Sequence, residues 1–343
     1  MATQIPTFFT PKTVGEIWPV PYQTRATAAK TYAQDHNISP AHTDSVRVCL
    51  LAIDVQNTFC LPEFELFVGG RSGIGAVEDT RRLCEFVYRN LDIITEIVPT
   101  MDTHAAAQIF HPVFWVNDAG EHPAPMTMIS FADIEQGKWW VNPLIAKSTP
   151  QKPEYVETFA RHYARQLSNS GKYPLTIWPY HSMLGGIGHA LVPAFEEACF
   201  FHNLVRTSQT RFEVKGDNPL TENYSVLSPE VLKDEEDEAI AQKNSSLIQH
   251  LLDFDAVIIA GQAKSHCVAW TISDLLEEIQ AVDPALAQKV YLLDDCTSPV
   301  VVPDVVDFTD TAEETYQRFA ESGMNRVKSD SNPTTWPGFP IKA

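Results

Sequence analysis

"VRVCLLAIDV", residues 46–55, is a continuous apolar run of strand length that closes on a carboxylate. An amphipathic helix would show polar residues every third or fourth position, and a half-buried strand would alternate; this run does neither. Unbroken apolar runs of this length suit strands buried on both faces, the condition of a parallel sheet covered by helices. The pattern recurs in "IITEIVPTMD" (93–102), "YPLTIWP" (173–179), "TRFEVKG" (210–216), "DAVIIAG" (255–261) and "KVYLLDD" (289–295). Helical periodicity fills intervals at 76–91, 154–169, 188–203, 239–252, 268–281 and 310–322. The alternation predicts an α/β fold: one domain over 46–330 with a doubly wound, mostly parallel sheet and helices on both faces. Residues 1–45, rich in Pro, Thr and Ala, read as an N-terminal extension, and 331–343 as a C-terminal tail. The interval 105–172 breaks the rhythm after the second run. Its aromatics, prolines and glycines predict an ordered insertion, leaving from the strand end where open α/β sheets bind ligands.

Charge narrows the function. The 343 residues carry 44 acidic against 25 basic side chains, a net charge of −19. Nucleic acids and anionic membranes select basic faces, so neither partner is expected. The acidic run "KDEEDE" (233–238) reads as a solvated segment. No run of about 18 apolar residues occurs and no basic-then-apolar leader opens the chain, which predicts a cytoplasmic protein. Six cysteines (49, 60, 84, 199, 267, 296) lie far apart with no CxxC pair, as in a reducing compartment. A homo-oligomer acting on a small molecule is the expected assembly.

Reactive residues gather where the predicted strands end. Asp54 ends the first, Asp102 and His104 the second; His181 follows the third, Lys215 ends the fourth, and Cys267 follows the fifth. Cys267 opens the helical pattern "VAWTISDLLEEI" after a Gly-containing turn, so it belongs at a helix N-terminus. There the unpaired amides favour a thiolate and can hold an oxyanion. Asp54, a lone carboxylate in an apolar strand, suits a proton acceptor for that thiol. Two lysines compete to partner it. Lys264 lies in the turn three residues before the thiol and is expected at solvent, a pocket rim or a subunit contact; Lys215, at a strand end, is the preferred partner. Asp102, His104 and His181 supply the O/N/N set accepted by a divalent ion such as Zn²⁺. His111, His122 and His266 have no spacing argument and stay unassigned, plain structural roles being slightly favoured.

"LLAIDVQNTF", "MDTH", "WPYHSMLGGIG", "FEVKGDNPLTENYSVL" and "GQAKSHCV" resemble, in order and spacing, the motifs of the isochorismatase-like cysteine hydrolases, the nicotinamidases in particular. The resemblance spans residues 46–327. It implies an Asp54–Lys215–Cys267 catalytic triad, metal ligation by Asp102, His104 and His181, and oxyanion donors at the Ala263 and Cys267 amides. It further implies ring-binding aromatics at Phe59 and Trp178 and a non-proline cis peptide at Gln262–Ala263. The activity so implied is hydrolysis of a small carboxamide, nicotinamide foremost, with a divalent metal such as Zn²⁺. The alternatives are another amide or ureido substrate within the superfamily, or a non-catalytic scaffold. "DTHAAA" and "WPYHSM" depart from the family's usual aromatic-His-Pro and WP-x-His-Cys patterns.

Overall fold

The computed structural model describes residues 3–170 and 173–341. Residues 1–2 of the expected extension, 171–172 at the end of the expected insertion, and 342–343 of the tail lie outside the described residues. Two compact units make up the chain: Met1–Met101 with Ala190–Glu213 and Ser245–Ala343, and Asp102–His189 with Val214–Asn244.

The central sheet has six strands: β1 (Val48–Ile53), β2 (Glu96–Asp102), β3 (Glu213–Lys215), β4 (Ala256–Gly261), β5 (Val290–Leu293) and β6 (Asn325–Val327). Their order is β6-β5-β4-β1-β2-β3. The pairings β1–β2, β1–β4, β4–β5 and β5–β6 are parallel. Every residue of β1, β4 and β5 is buried, as unbroken apolar runs require. The fold is α/β, as the sequence pattern predicts. Among the described residues, seven longer helices accompany the strands: α1 (Tyr22–Asp35), α2 (Gly75–Arg89), α3 (Pro153–Ser170), α4 (Pro193–Arg206), α5 (Ser245–Leu252), α6 (Cys267–Val282) and α7 (Thr309–Glu321).

In the first unit a single apolar core joins β1, β2, β4 and β5 to α2 and α4. The N-terminal segment belongs to this core. Phe9, Val14 and Ala29 are buried in it, Phe8 packs edge-on against Tyr88 and Phe201, and Thr3 Oγ1 donates to Tyr88 O at 2.6 Å. Arg25 lies 4.0 Å over the Phe8 ring and pairs with Glu197 at 2.6 Å, fixing α1 on α4.

The second unit holds the interval after β2, which is ordered. Trp115–Val116 pairs antiparallel with Trp140–Val141, and Met128–Ile129 with Leu175–Thr176. Ser130 and Asp133 close a reciprocal capping box on the short helix Phe131–Glu135. Two expectations fail. The run 173–179 is no strand of the central sheet; it pairs only Leu175–Thr176 with the insertion, and Pro174 and Pro179 remove ladder donors on either side. The sixth strand is instead Asn325–Val327, a polar three-residue edge with no apolar run to announce it. Among the described residues no helix is long and apolar enough to cross a membrane.

Candidate active site

In the first unit the site is built on the adjoining ends of β1 and β4, where Ile53 is in register with Gly261. Asp54 follows with φ +48° and is fully buried. Its amide donates to Thr100 Oγ1 at 3.0 Å, and the same hydroxyl donates to Asp54 Oδ1. The short polar side chain on β2 thus fixes both the backbone and the carboxylate. Gly261, at φ +118°, crosses so close to β1 that a Cβ would collide with the Ile53 backbone. The peptide Gln262–Ala263 is cis, where the resemblance puts it.

The turn beyond Gly261 is held at several points. Gln262 N donates to Ile53 O at 2.8 Å, its Nε2 donates to Asp79 Oδ2 at 2.9 Å, and Lys264 N donates to Ser298 O at 2.8 Å. Helix α6 then begins at Cys267 itself. All six cysteines are buried thiols, and burial pushes Cys60 up to about 12 and raises Cys49, Cys84, Cys199 and Cys296. Phe59 sits buried in the short helix Asn57–Cys60 after β1.

In the second unit Asp102, His104 and His181 converge, their ligand atoms all within 4.8 Å of one another. His104 Nε2 lies 2.8 Å and His181 Nε2 3.3 Å from Asp102 Oδ2. The other nitrogen of each ring faces a backbone carbonyl: His104 Nδ1 is 3.3 Å from Gly216 O, and His181 Nδ1 2.8 Å from Pro179 O. Carbonyls only accept, so both Nδ1 atoms carry the hydrogen, and both Nε2 atoms face a carboxylate. Lys215 Nζ takes the opposite oxygen, Asp102 Oδ1, at 2.9 Å and donates to Asn223 O at 2.8 Å. Burial pushes the Asp102 carboxyl up, but His104 and Lys215 outweigh it and hold it well below the usual range. Burial lowers His181; for His104 the Asp102 charge overcomes burial and raises it. Trp178 is fixed by its Nε1 donating to Tyr224 Oη at 3.1 Å.

Solved structures are similar to this chain. One described as an Acinetobacter baumanii nicotinamidase pyrazinamidase matches over 84% of this chain and 98% of its own, with a TM-score of 0.50 and 17% identity. The fold is that of the nicotinamidases. The yeast nicotinamidase bound to the inhibitor nicotinaldehyde aligns over 82% of this chain and 99% of its own (TM-score 0.49, 17% identity). An isochorismatase-like hydrolase from Alkaliphilus metalliredigens aligns over 83% and 96% (TM-score 0.40, 14% identity). No protein-family model and no curated protein matches the sequence.

Within this nicotinamidase fold, Lys264 is corrected from its expected place at solvent or a rim. It is nearly buried, lies 4.3 Å over the Tyr316 ring, and donates to Asp294 Oδ1 at 2.7 Å and Glu313 Oε2 at 3.2 Å. An ammonium is buried only with such partners, and these lie 30 and 49 residues further on, beyond any local pattern. His122 Nδ1 lies 2.7 Å from Trp115 O. His266 meets Ser265 Oγ at 2.9 Å and the Phe308 edge, and burial lowers it to about 3.

Two residues were passed over in the sequence. Glu222 is buried seven positions after Lys215, accepts from Asn223 N at 2.9 Å, and is raised to about 7 by burial, against the pull of His104. A carboxylate inside "LTENYSVL" was its only signal. Gly216 has φ +88°, and a Cβ there would meet His104 Cε1 at 2.8 Å; the glycine makes room for the His104 ring.

Proposed function

We propose that the chain is a metal-assisted amidohydrolase with a cysteine nucleophile, converting nicotinamide and water to nicotinate and ammonia. The observation that carries this reading is the convergence of two imidazole nitrogens on one oxygen of a buried carboxylate. Two imidazole nitrogens at 2.8 and 3.3 Å from one carboxylate oxygen form a compact Asp–His–His donor set suited to Zn²⁺. Asp102, His104 and His181 would hold a divalent ion, which when bound would supply a Lewis acid beside the substrate.

The remaining roles fall on the chain's own groups. Asp54 takes the Cys267 thiol proton, and Lys215 offsets the negative charge that results. The thiolate adds to the carboxamide carbon, while the Ala263 and Cys267 amides donate to the developing oxyanion. The C–N bond breaks and ammonia leaves with the proton from Asp54. Water then adds to the thioester, the C–S bond breaks, and a proton returns to Cys267 as nicotinate departs. Phe59 and Trp178 flank the ring. Cys267 as the first residue of α6 supports the nucleophile, and the Tyr224 hydrogen bond to Trp178 supports a preset ring wall. Ammonia release across a panel of small amides and ureido compounds, with metal analysis of the same preparation, tests the reading. Nicotinamide should lead the panel. A metal-loaded preparation that releases no ammonia from any of them refutes it.

A further inference from the structure

We propose that His111 is a positioning residue of the metal centre, its Nε2 accepting a hydrogen bond from a water molecule in the coordination shell of the ion. The inference rests on the metal reading above and concerns a residue to which the sequence assigned no role. His111 is fully buried, and its Nδ1 lies 3.1 Å from Ala105 O and 3.2 Å from Ala106 O. Both partners only accept, so Nδ1 carries the hydrogen and Nε2 the lone pair. That Nε2 is buried with no hydrogen-bond partner among the described residues. An acceptor left so costs about 1–3 kcal/mol, which a donor would recover.

The ring's surroundings say where the donor stands. His111 lies 5.8 Å from His104 and 5.9 Å from His181, ring centre to ring centre, nearly perpendicular to both. It stays outside the compact trio whose donor atoms lie within 4.8 Å of one another. This spacing suits a group that reaches the ion through one water rather than as a ligand. The orientation device is also the one used by His104 and His181: a backbone carbonyl on Nδ1 fixes the ring and presents Nε2.

Co²⁺ binding by the full chain tests this, measured by chelator competition and visible spectroscopy on wild type, His111→Ala and His111→Gln. Thermal melts of the metal-free proteins report folding. His111→Ala should bind Co²⁺ about 10-fold more weakly with the same spectral coordination number. His111→Gln, whose side-chain oxygen still accepts, should recover most of the loss and carries the test should the alanine variant not fold. Unchanged Co²⁺ affinity in both variants overturns the inference, as does a spectrum showing a lost nitrogen ligand, or a glutamine variant that folds yet binds no better than a folded alanine variant. A wild type that binds no Co²⁺ overturns the metal reading itself, a result distinct from any of these.

Discussion

Gly216→Ala offers a graded test of how the ligand rings are held. Gly216 has φ +88°, and a Cβ there would lie 2.8 Å from His104 Cε1, 3.1 Å from His104 Nδ1 and 3.0 Å from Thr103 O. A side chain in this backbone region costs about 1–2 kcal/mol. The clash adds about 1–3 kcal/mol, as overpacking does, because the ring has little room to move. It lies 4.8 Å from Phe110 and 4.6 Å from His181, centre to centre. The Gly216 carbonyl also accepts from Gln108 Nε2 at 2.6 Å, so the turn resists displacement. Gly216→Ala should therefore lower the urea-unfolding free energy by about 2–5 kcal/mol, and a displaced His104 should weaken Co²⁺ binding by about tenfold or more. Gly137→Ala is the control: φ is +66° with nothing within 4 Å of the added carbon, so only the backbone cost of about 1–2 kcal/mol remains and metal binding is untouched. Were Gly216→Ala as stable as Gly137→Ala, with wild-type Co²⁺ affinity, the claim that this glycine makes room for the His104 ring would be wrong.

Cys267→Ala should release no ammonia from nicotinamide while unfolding within about 1 kcal/mol of wild type, since alanine suits the first turn of α6; turnover near wild type would exclude the covalent route. Lys215→Ala should abolish activity and cost about 3–5 kcal/mol, because it strips a buried carboxylate of its ammonium. Lys264→Ala should keep most activity, since Asp294 retains Arg326 at 2.7 Å; the reverse ranking would move the catalytic role to Lys264. His202, fully buried with Nε2 2.9 Å from Ile94 O, is lowered by burial to about 4. Its unfolded value is near 6.5, so the unfolded chain binds the proton first as pH falls. Stability should be full above about pH 6.5 and decline toward pH 4, by roughly 1.4 kcal/mol per unit from this group. His202→Gln should flatten that slope, and urea titrations showing identical slopes would remove His202 as the cause.

The strands that could be read ahead of the structure are those whose every residue is buried. Val48–Ile53 and Ala256–Gly261 are apolar from end to end because both faces are covered, and the burial leaves its record in the residues. Asn325–Val327 leaves no such record: Arg326 turns to Glu313 and Asp294, ion pairs assembled by the fold from distant segments. The run 173–179 erred in the opposite direction, its apolar residues packing an insertion rather than the sheet. Asp102, His104 and His181 were legible as donor types, and the structure brings them together. The closeness of Gly216, Glu222 and His111 to that trio was not legible. Their relevance lies in a positive φ, in burial and in a ring orientation, none of which has a local sequence period.

A D-x-H triplet becomes a metal-type site here only through the Lys215–Gly216 turn. Thr103 N donates to Lys215 O at 2.9 Å, which fixes the residue between the two ligands. Lys215 Nζ occupies Asp102 Oδ1, leaving Oδ2 to face the two imidazoles. Gly216 O sets the tautomer and tilt of His104. His104 N in turn donates to Ser182 O at 3.0 Å, tying the triplet to the residue after His181. His104 is thus oriented by backbone from the Lys215–Gly216 turn, Asp102 by the Lys215 side chain and His181 by the Pro179 carbonyl just before it, so Lys215 shapes the metal-type trio whatever part it takes in activating the thiol. That double engagement separates the two lysines on physical grounds. Lys264 also meets carboxylates, but Asp294 is shared with Arg326, so its charge is one of several in a network. Lys215 Nζ pairs with Asp102 at 2.9 Å where both side chains are buried, so its loss falls on a carboxylate that burial makes costly to leave charged.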